Sequence, residues 1–321
     1  MSLINTLKAL IKREFWEHRG AFVKTPIIIS IVMLVLIIGG YLTSLFLVEK
    51  MGSGEFTKQG LQELSKFSQD KLAMFWSGQI VSTSLIFIFV LFIVMFFYIL
   101  GSLYNDRKDQ SILFWKSLPV SDMQTVASKL LTATLVVPMV YTIVVMLFSI
   151  AIMIFISIVL LVHGFSPIDL VWSPSSLLQG FLLVLTGVYT QMLWALPIYG
   201  WLIFSSSFSK KRPFLFAVFV PSGIALGWYW VNMLSFKFTD FTMFKKPLYY
   251  LGHSVLPFAS GVVSDGEQGH FSFDFDDNTL PSELISRMLS QVISLEVLYG
   301  MVFASIFIAI AIWIRRYRNT T

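Results

Sequence analysis

The sequence predicts an all-α integral membrane protein with six transmembrane helices, and three observations lead there. Only 13% of its residues are charged, about half the roughly 25% of an average soluble protein. Hydrophobic residues make up 56% of the chain and its mean hydropathy is +0.77, so polar side chains cannot cover a water-facing globule. Finally, six nearly uncharged apolar runs each reach the ~20 residues that a 30 Å hydrocarbon core requires at 1.5 Å per residue.

Residues 2–20 come first and read as an amphipathic helix. Leu3, Leu7, Leu10, Ile11 and Phe15 recur at helical spacing, while Lys8, Lys12 and Arg19 fall elsewhere. Ahead of a span, this pattern predicts an interfacial helix within residues 1–25, with Trp16 at headgroup depth. The spans follow at about Pro26–Val48, Ile80–Leu103, Leu130–Val162, Leu177–Ser205, Pro213–Leu234 and Ser294–Ile314. The third and fourth exceed one crossing, which predicts tilt or extension beyond the core. Pro138, Pro197 and Pro221 are the expected kink sites. The first run is too long for the apolar region of a signal peptide, and is expected to stay as an anchor.

Between spans one and two, "TKQGLQELSKFSQDKLAMFW" predicts a short solvated helix feeding the second span. Between spans five and six lies the long segment Ser235–Ile293. Its "YYLGHSVLPFASGVV" is apolar but too short to cross, which predicts a re-entrant, interfacial or capping piece. Its Phe271, Phe273 and Phe275 alternate with polar residues in strand fashion.

Lysine and arginine set the orientation. Of 23, 15 fall in the amino-terminal segment, the connections after spans two and four, and the carboxy-terminal tail. The positive-inside rule therefore places both termini on the cytoplasmic side of the membrane. Topology alone explains the net charge of +5, without nucleic acid as a partner. With no cysteine in the chain, disulfides, thiolate metal sites and a cysteine nucleophile are excluded.

Chemistry is sparse. The chain has no G-x-x-x-x-G-K-[ST] phosphate loop and no H-E-x-x-H pair. Asp274, Asp276 and Asn278 match the first ligand positions of a calcium loop, but Thr279 and Ile285 stand where glycine and glutamate are needed, so a solvated loop is expected. All four histidines are expected outside the hydrocarbon core. Glu296 is the one acid or base placed within a span, and lies near its outer end as an interfacial contact. A coupling ion or proton has nothing to ride on. Thr83, Tyr189 and Gln191, polar residues in or near spans, are the candidates for lining a substrate path, though most such residues join helices.

The polar segment between spans two and three is the most informative part. "DRKDQSILFWKS" predicts about three helical turns, and Leu118-Pro119 a break, since proline lacks a donor and forces its predecessor out of the helical region. Ser121-Asp122-Met123-Gln124 has capping-box form and predicts a new helix running through Lys129 into span three.

These residues resemble the permease subunits of ABC-2 type ATP-binding-cassette exporters. Between their second and third spans those proteins carry an acidic–basic pair, a Ser or Thr, paired aliphatics, Pro-x-Ser/Thr and a lysine. Here the pattern reads Asp106-Arg107, Ser111, Ile112-Leu113, Pro119-Val120-Ser121 and Lys129, with Asp106 where glutamate is commoner. The resemblance implies a coupling helix that docks on a separate ABC ATPase through Asp106, Arg107, Ser111, Ile112, Leu113, Trp115, Pro119 and Ser121. It implies ATP and magnesium on that ATPase with no cofactor in this chain, a second permease copy or relative, and export of a substrate; the aromatic-rich spans, with 31 Phe in the chain, suit an amphipathic or lipidic cargo. The chain itself would not be an enzyme. The alternative is a membrane scaffold of the same type that acts on a periplasmic partner and moves nothing across.

Overall fold

The computed structural model describes residues 3–51, 55–110, 120–175, 177–234, 250–254 and 281–317. All regular structure among them is helical. Helix α1 (Leu3–Glu17) precedes a π turn at Gly20–Lys24 and α2 (Thr25–Met51). Next come α3 (Glu55–Ser65), α4 (Gln69–Lys108), α5 (Asp122–Leu131) and α6 (Val137–Val162), then α7 (Leu177–Phe208), α8 (Pro213–Leu234), α9 (Pro281–Val292) and α10 (Leu295–Tyr317). Six stretches are long and apolar enough to cross a membrane: Gly20–Phe46, Gln69–Lys108, Asp122–Val162, Ile168–Phe208, Pro213–Val231 and Leu295–Tyr317. The chain is a multi-pass membrane protein.

Helix boundaries follow local chemistry. Ser68 caps α4 by accepting from the Lys71 N–H, so the expected feeder helix is two pieces, α3 and the first turns of α4. No proline interrupts α4 near its other end, and the helix continues past Gly101 unbroken through Lys108. Asp106 and Arg107 therefore close span two and do not open a separate helix, contrary to the sequence expectation. Asp109 caps the end, and Gln110 turns the chain away at φ 56°. The predicted capping box at Ser121 is present. Its Oγ accepts from the Gln124 N–H at 3.1 Å, and Gln124 Oε1 accepts from the Ser121 N–H at 2.9 Å. Pro138 opens α6 just after a π turn at Thr132–Val136, where its missing donor is least costly.

The fourth span is central. Half its apolar window is buried, against 11% for the first and 6% for the fifth. It packs closely on the sixth because glycines let the backbones meet: a methyl at Gly200 would lie 2.9 Å from Ala304 Cα, and one at Gly300 2.9 Å from Pro197 Cγ. The π turn at Ile168–Trp172 caps the far end of span two, where Trp76 Nε1 donates to the Leu170 carbonyl at 2.8 Å.

Residues 250–254 are a helical turn set against α7. His253 is 2% exposed, its ring 4.6 Å from that of Trp194. Trp194 lies roughly 20 Å along α7 from Phe208 at 1.5 Å per residue, so His253 is packed beside the body of a span. Aromatic stacking and the Gln191 bond to the Ser254 carbonyl hold the turn in place. The expected strand at Phe271–Phe275 and the aspartates at Asp274 and Asp276 lie outside the described residues.

Candidate functional site at the basic end of the bundle

The residues flanking the segment between spans two and three are charged, and the helices bury them. Asp106 ends α4 and is 7% exposed; Lys129, on α5, is 3% exposed. Glu14 of α1 is 1% exposed and Arg315 of α10 6%. Lys129 Nζ lies 3.0 Å from Glu14 Oε1 and 3.5 Å from Asp106 Oδ1. Arg315 reaches Asp106 Oδ2 at 3.1 Å through one nitrogen and Asp122 Oδ1 at 2.8 Å through another. Tyr98 donates to Glu14 Oε2 at 3.0 Å. The result is a chain of shared partners, Glu14–Lys129–Asp106–Arg315–Asp122, that joins four helices.

Among the described residues three carboxylates face two cations in this chain, and Arg13, which pairs with Glu17 at 3.2 Å, also lies 3.7 Å from Glu14. These close opposite charges are what make burial tolerable. Removing an ion from water costs several kcal/mol even after relaxation, and only close opposite charges repay it. A buried cluster of this kind adds little net stability, but losing one member leaves the others uncompensated. Its contribution is therefore to fix how α1, α4, α5 and α10 sit against one another.

A second set of bonds lies beside it. The Arg107 guanidinium donates to the carbonyls of Ser206, Ser207 and Ser209 at the end of α7. A helix carboxy-terminus has unpaired carbonyls and partial negative charge, so a cation there satisfies both. Ser206 Oγ in turn accepts from the N–H groups of Leu103 and Tyr104, both at 3.0 Å, and Tyr104 Oη donates to the Lys211 carbonyl at 2.8 Å. Spans two and four are thus tied at the same end.

Of the residues expected to meet a partner ATPase, Asp106, Arg107 and Ser121 are described. Asp106 is in the ion cluster, Arg107 is turned onto α7, and Ser121 is the exposed cap of α5. Ser111, Ile112, Leu113, Trp115 and Pro119 lie outside the described residues. The three path candidates each bond to a different element. Thr83 closes on its own helix through the Gln79 carbonyl at 2.9 Å. Tyr189 donates to the Leu135 carbonyl at 2.9 Å, and Gln191 Nε2 to the Ser254 carbonyl at 2.7 Å. Gln191 Oε1 is buried with no partner among the described residues. Glu296 is exposed in the first turn of α10, where its carbonyl accepts from Tyr250 Oη at 2.6 Å.

Sequence reasoning missed Glu14 and Arg315 as partners of the polar segment, yet both leave a trace. Glu14 extends the apolar Leu3–Leu7–Leu10 stripe by one more turn, an acid on the face that should be buried. Arg315 continues Ala304 and Ala311 on the inward side of α10. Among the described residues no group of three or more His, Asp or Glu could hold a metal ion. Comparison of the chain with protein-family models, curated proteins and solved structures finds no match.

Proposed function

We propose that this chain is the membrane subunit of an ABC-2 type exporter, driven by ATP hydrolysis on a separate ATPase chain in a bacterial inner membrane. The observation that carries the reading is the double anchoring of the segment between spans two and three. Asp106 and Asp122 bracket residues 107–121, and both carboxylates hold the same Arg315 at the end of the last span. Asp106 also shares Lys129 with Glu14 of the first helix. A displacement of the bracketed segment therefore bears at once on α1, α4, α5 and α10, and through Arg107 on α7. That suits a surface pushed by a partner that closes on nucleotide.

In this reading residues 111–119 supply the docking surface, with Ile112, Leu113 and Trp115 as its apolar anchors. The ATPase holds ATP and magnesium. Two permease copies, or this chain and a relative, enclose the path between them, and an amphipathic or lipidic cargo suits their aromatic spans.

The experiment is affinity purification of the full chain from its own membranes, followed by ATPase assay of what comes with it. An ATP-hydrolysing partner is expected, with Trp115→Ala weakening its retention. Arg315→Met should leave the partner bound and lower the stimulation of hydrolysis by the permease. Purification without any ATP-hydrolysing partner would overturn the reading.

A further inference from the structure

The outward face of α1 carries a feature that neither the spans nor the ion cluster uses. Ile4, Lys8, Lys12 and Trp16 follow one another at intervals of four, within a ~120° arc at 100° per residue, and all four are exposed. Ile4 is 62% exposed and Trp16 56%. Arg19, just past the end of the helix, is exposed as well. The opposite face is the buried one, with Leu10 and Glu14 turned inward. No carboxylate pairs with Lys8, Lys12 or Arg19 among the described residues. The nearest exposed acid, Glu17, is held by Arg13 at 3.2 Å.

We propose that this stripe binds the headgroups of anionic phospholipids in the leaflet at the basic end of the bundle. Each part has a counterpart in such a surface. Ile4 and the indole of Trp16 enter the boundary between headgroups and acyl chains, where amphipathic aromatic rings settle. Lys8, Lys12 and Arg19 stand beside them as uncompensated cations, and each such charge near an anionic surface strengthens attraction roughly fivefold. An acidic protein surface would answer the cations but leave Ile4 and Trp16 without an apolar partner. A neutral lipid would answer Ile4 and Trp16 but not the cations. The helix that lies on this lipid also delivers Glu14 to Lys129 on its other side, so headgroup binding fixes one end of the ion cluster. The inference depends on the spans crossing a bilayer and is independent of any ATPase.

The test uses the full chain reconstituted in phosphatidylcholine vesicles. Each preparation holds the same minor fraction of either brominated phosphatidylglycerol or brominated phosphatidylcholine. Bromine quenches a neighbouring indole, and the Trp16 contribution is isolated as the difference from Trp16→Phe. Several-fold stronger quenching of Trp16 by the anionic lipid is expected. The preference should vanish in Lys8→Gln/Lys12→Gln/Arg19→Gln and decline in the unaltered chain as salt rises. Equal quenching by both headgroups would overturn the proposal, as would a preference insensitive to both salt and the triple substitution. Quenching by neither lipid would place Trp16 against water or another protein, and would overturn it too.

Discussion

The two ends of this bundle are held by different kinds of bond. At the basic end, four buried charges and the half-buried Asp122 share partners across α1, α4, α5 and α10. Toward the other end the long-range ties are neutral and single: Trp76 to the Leu170 carbonyl, Gln191 to the Ser254 carbonyl, and Tyr250 to the Glu296 carbonyl. A neutral bond of this kind can be lost without disturbing the next one. In the ion cluster each cation serves two carboxylates, so one deletion exposes unpaired charge on two other helices. One end is tied through shared charges, the other through separate neutral bonds.

The sharpest way to break this contrast is Lys129→Met. It strands Glu14 and Asp106 in a buried site, and a loss of about 3–5 kcal/mol is expected, read from denaturant unfolding in detergent. Adding Glu14→Gln and Asp106→Asn should restore part of that loss, since the stranded charges are then gone. A triple variant no more stable than Lys129→Met would show that the cluster does not act through paired charge.

At the opposite end, Trp76→Phe keeps most of the buried ring but leaves the Leu170 carbonyl without its donor. About 1–3 kcal/mol is the expected cost, and combined with Lys129→Met the two losses should add, because the sites share no partner. Strong coupling between them in a double-mutant cycle would erase the distinction between the ends.

Smaller effects sharpen the picture. Ser121→Ala removes the cap of α5 and should cost about 1 kcal/mol, with faster hydrogen exchange confined to the first turn of that helix. Glu17→Gln breaks the surface pair with Arg13, whose partners are 53% and 26% exposed. It should change stability by no more than about 0.5 kcal/mol, and that change should shrink further in high salt.

Much of the architecture is legible in the residues. Every apolar run expected to span coincides, to within a few residues, with a helix long and apolar enough to cross, and the capping box at Ser121 is there to the atom. The boundaries were harder, because the polar ends of α4 continue a helix that nothing in the local sequence stops. The site was only half legible. Asp106 and Lys129 stand out beside the polar segment, but counting charges by topology treats Lys129 and Arg315 as headgroup anchors. Both are in fact buried, and their partners lie 115 and 209 residues away.

Composition and periodicity by themselves determined the class of protein, its six helices long and apolar enough to cross, and the capped restart at Ser121. Those follow from lipid solvation and backbone hydrogen bonding, which act along a single segment. The tertiary structure decided which charges meet, that Arg107 closes α7, and that His253 lies against Trp194. Such pairings depend on helices packed side by side, and a pattern read along one helix holds no record of its neighbour.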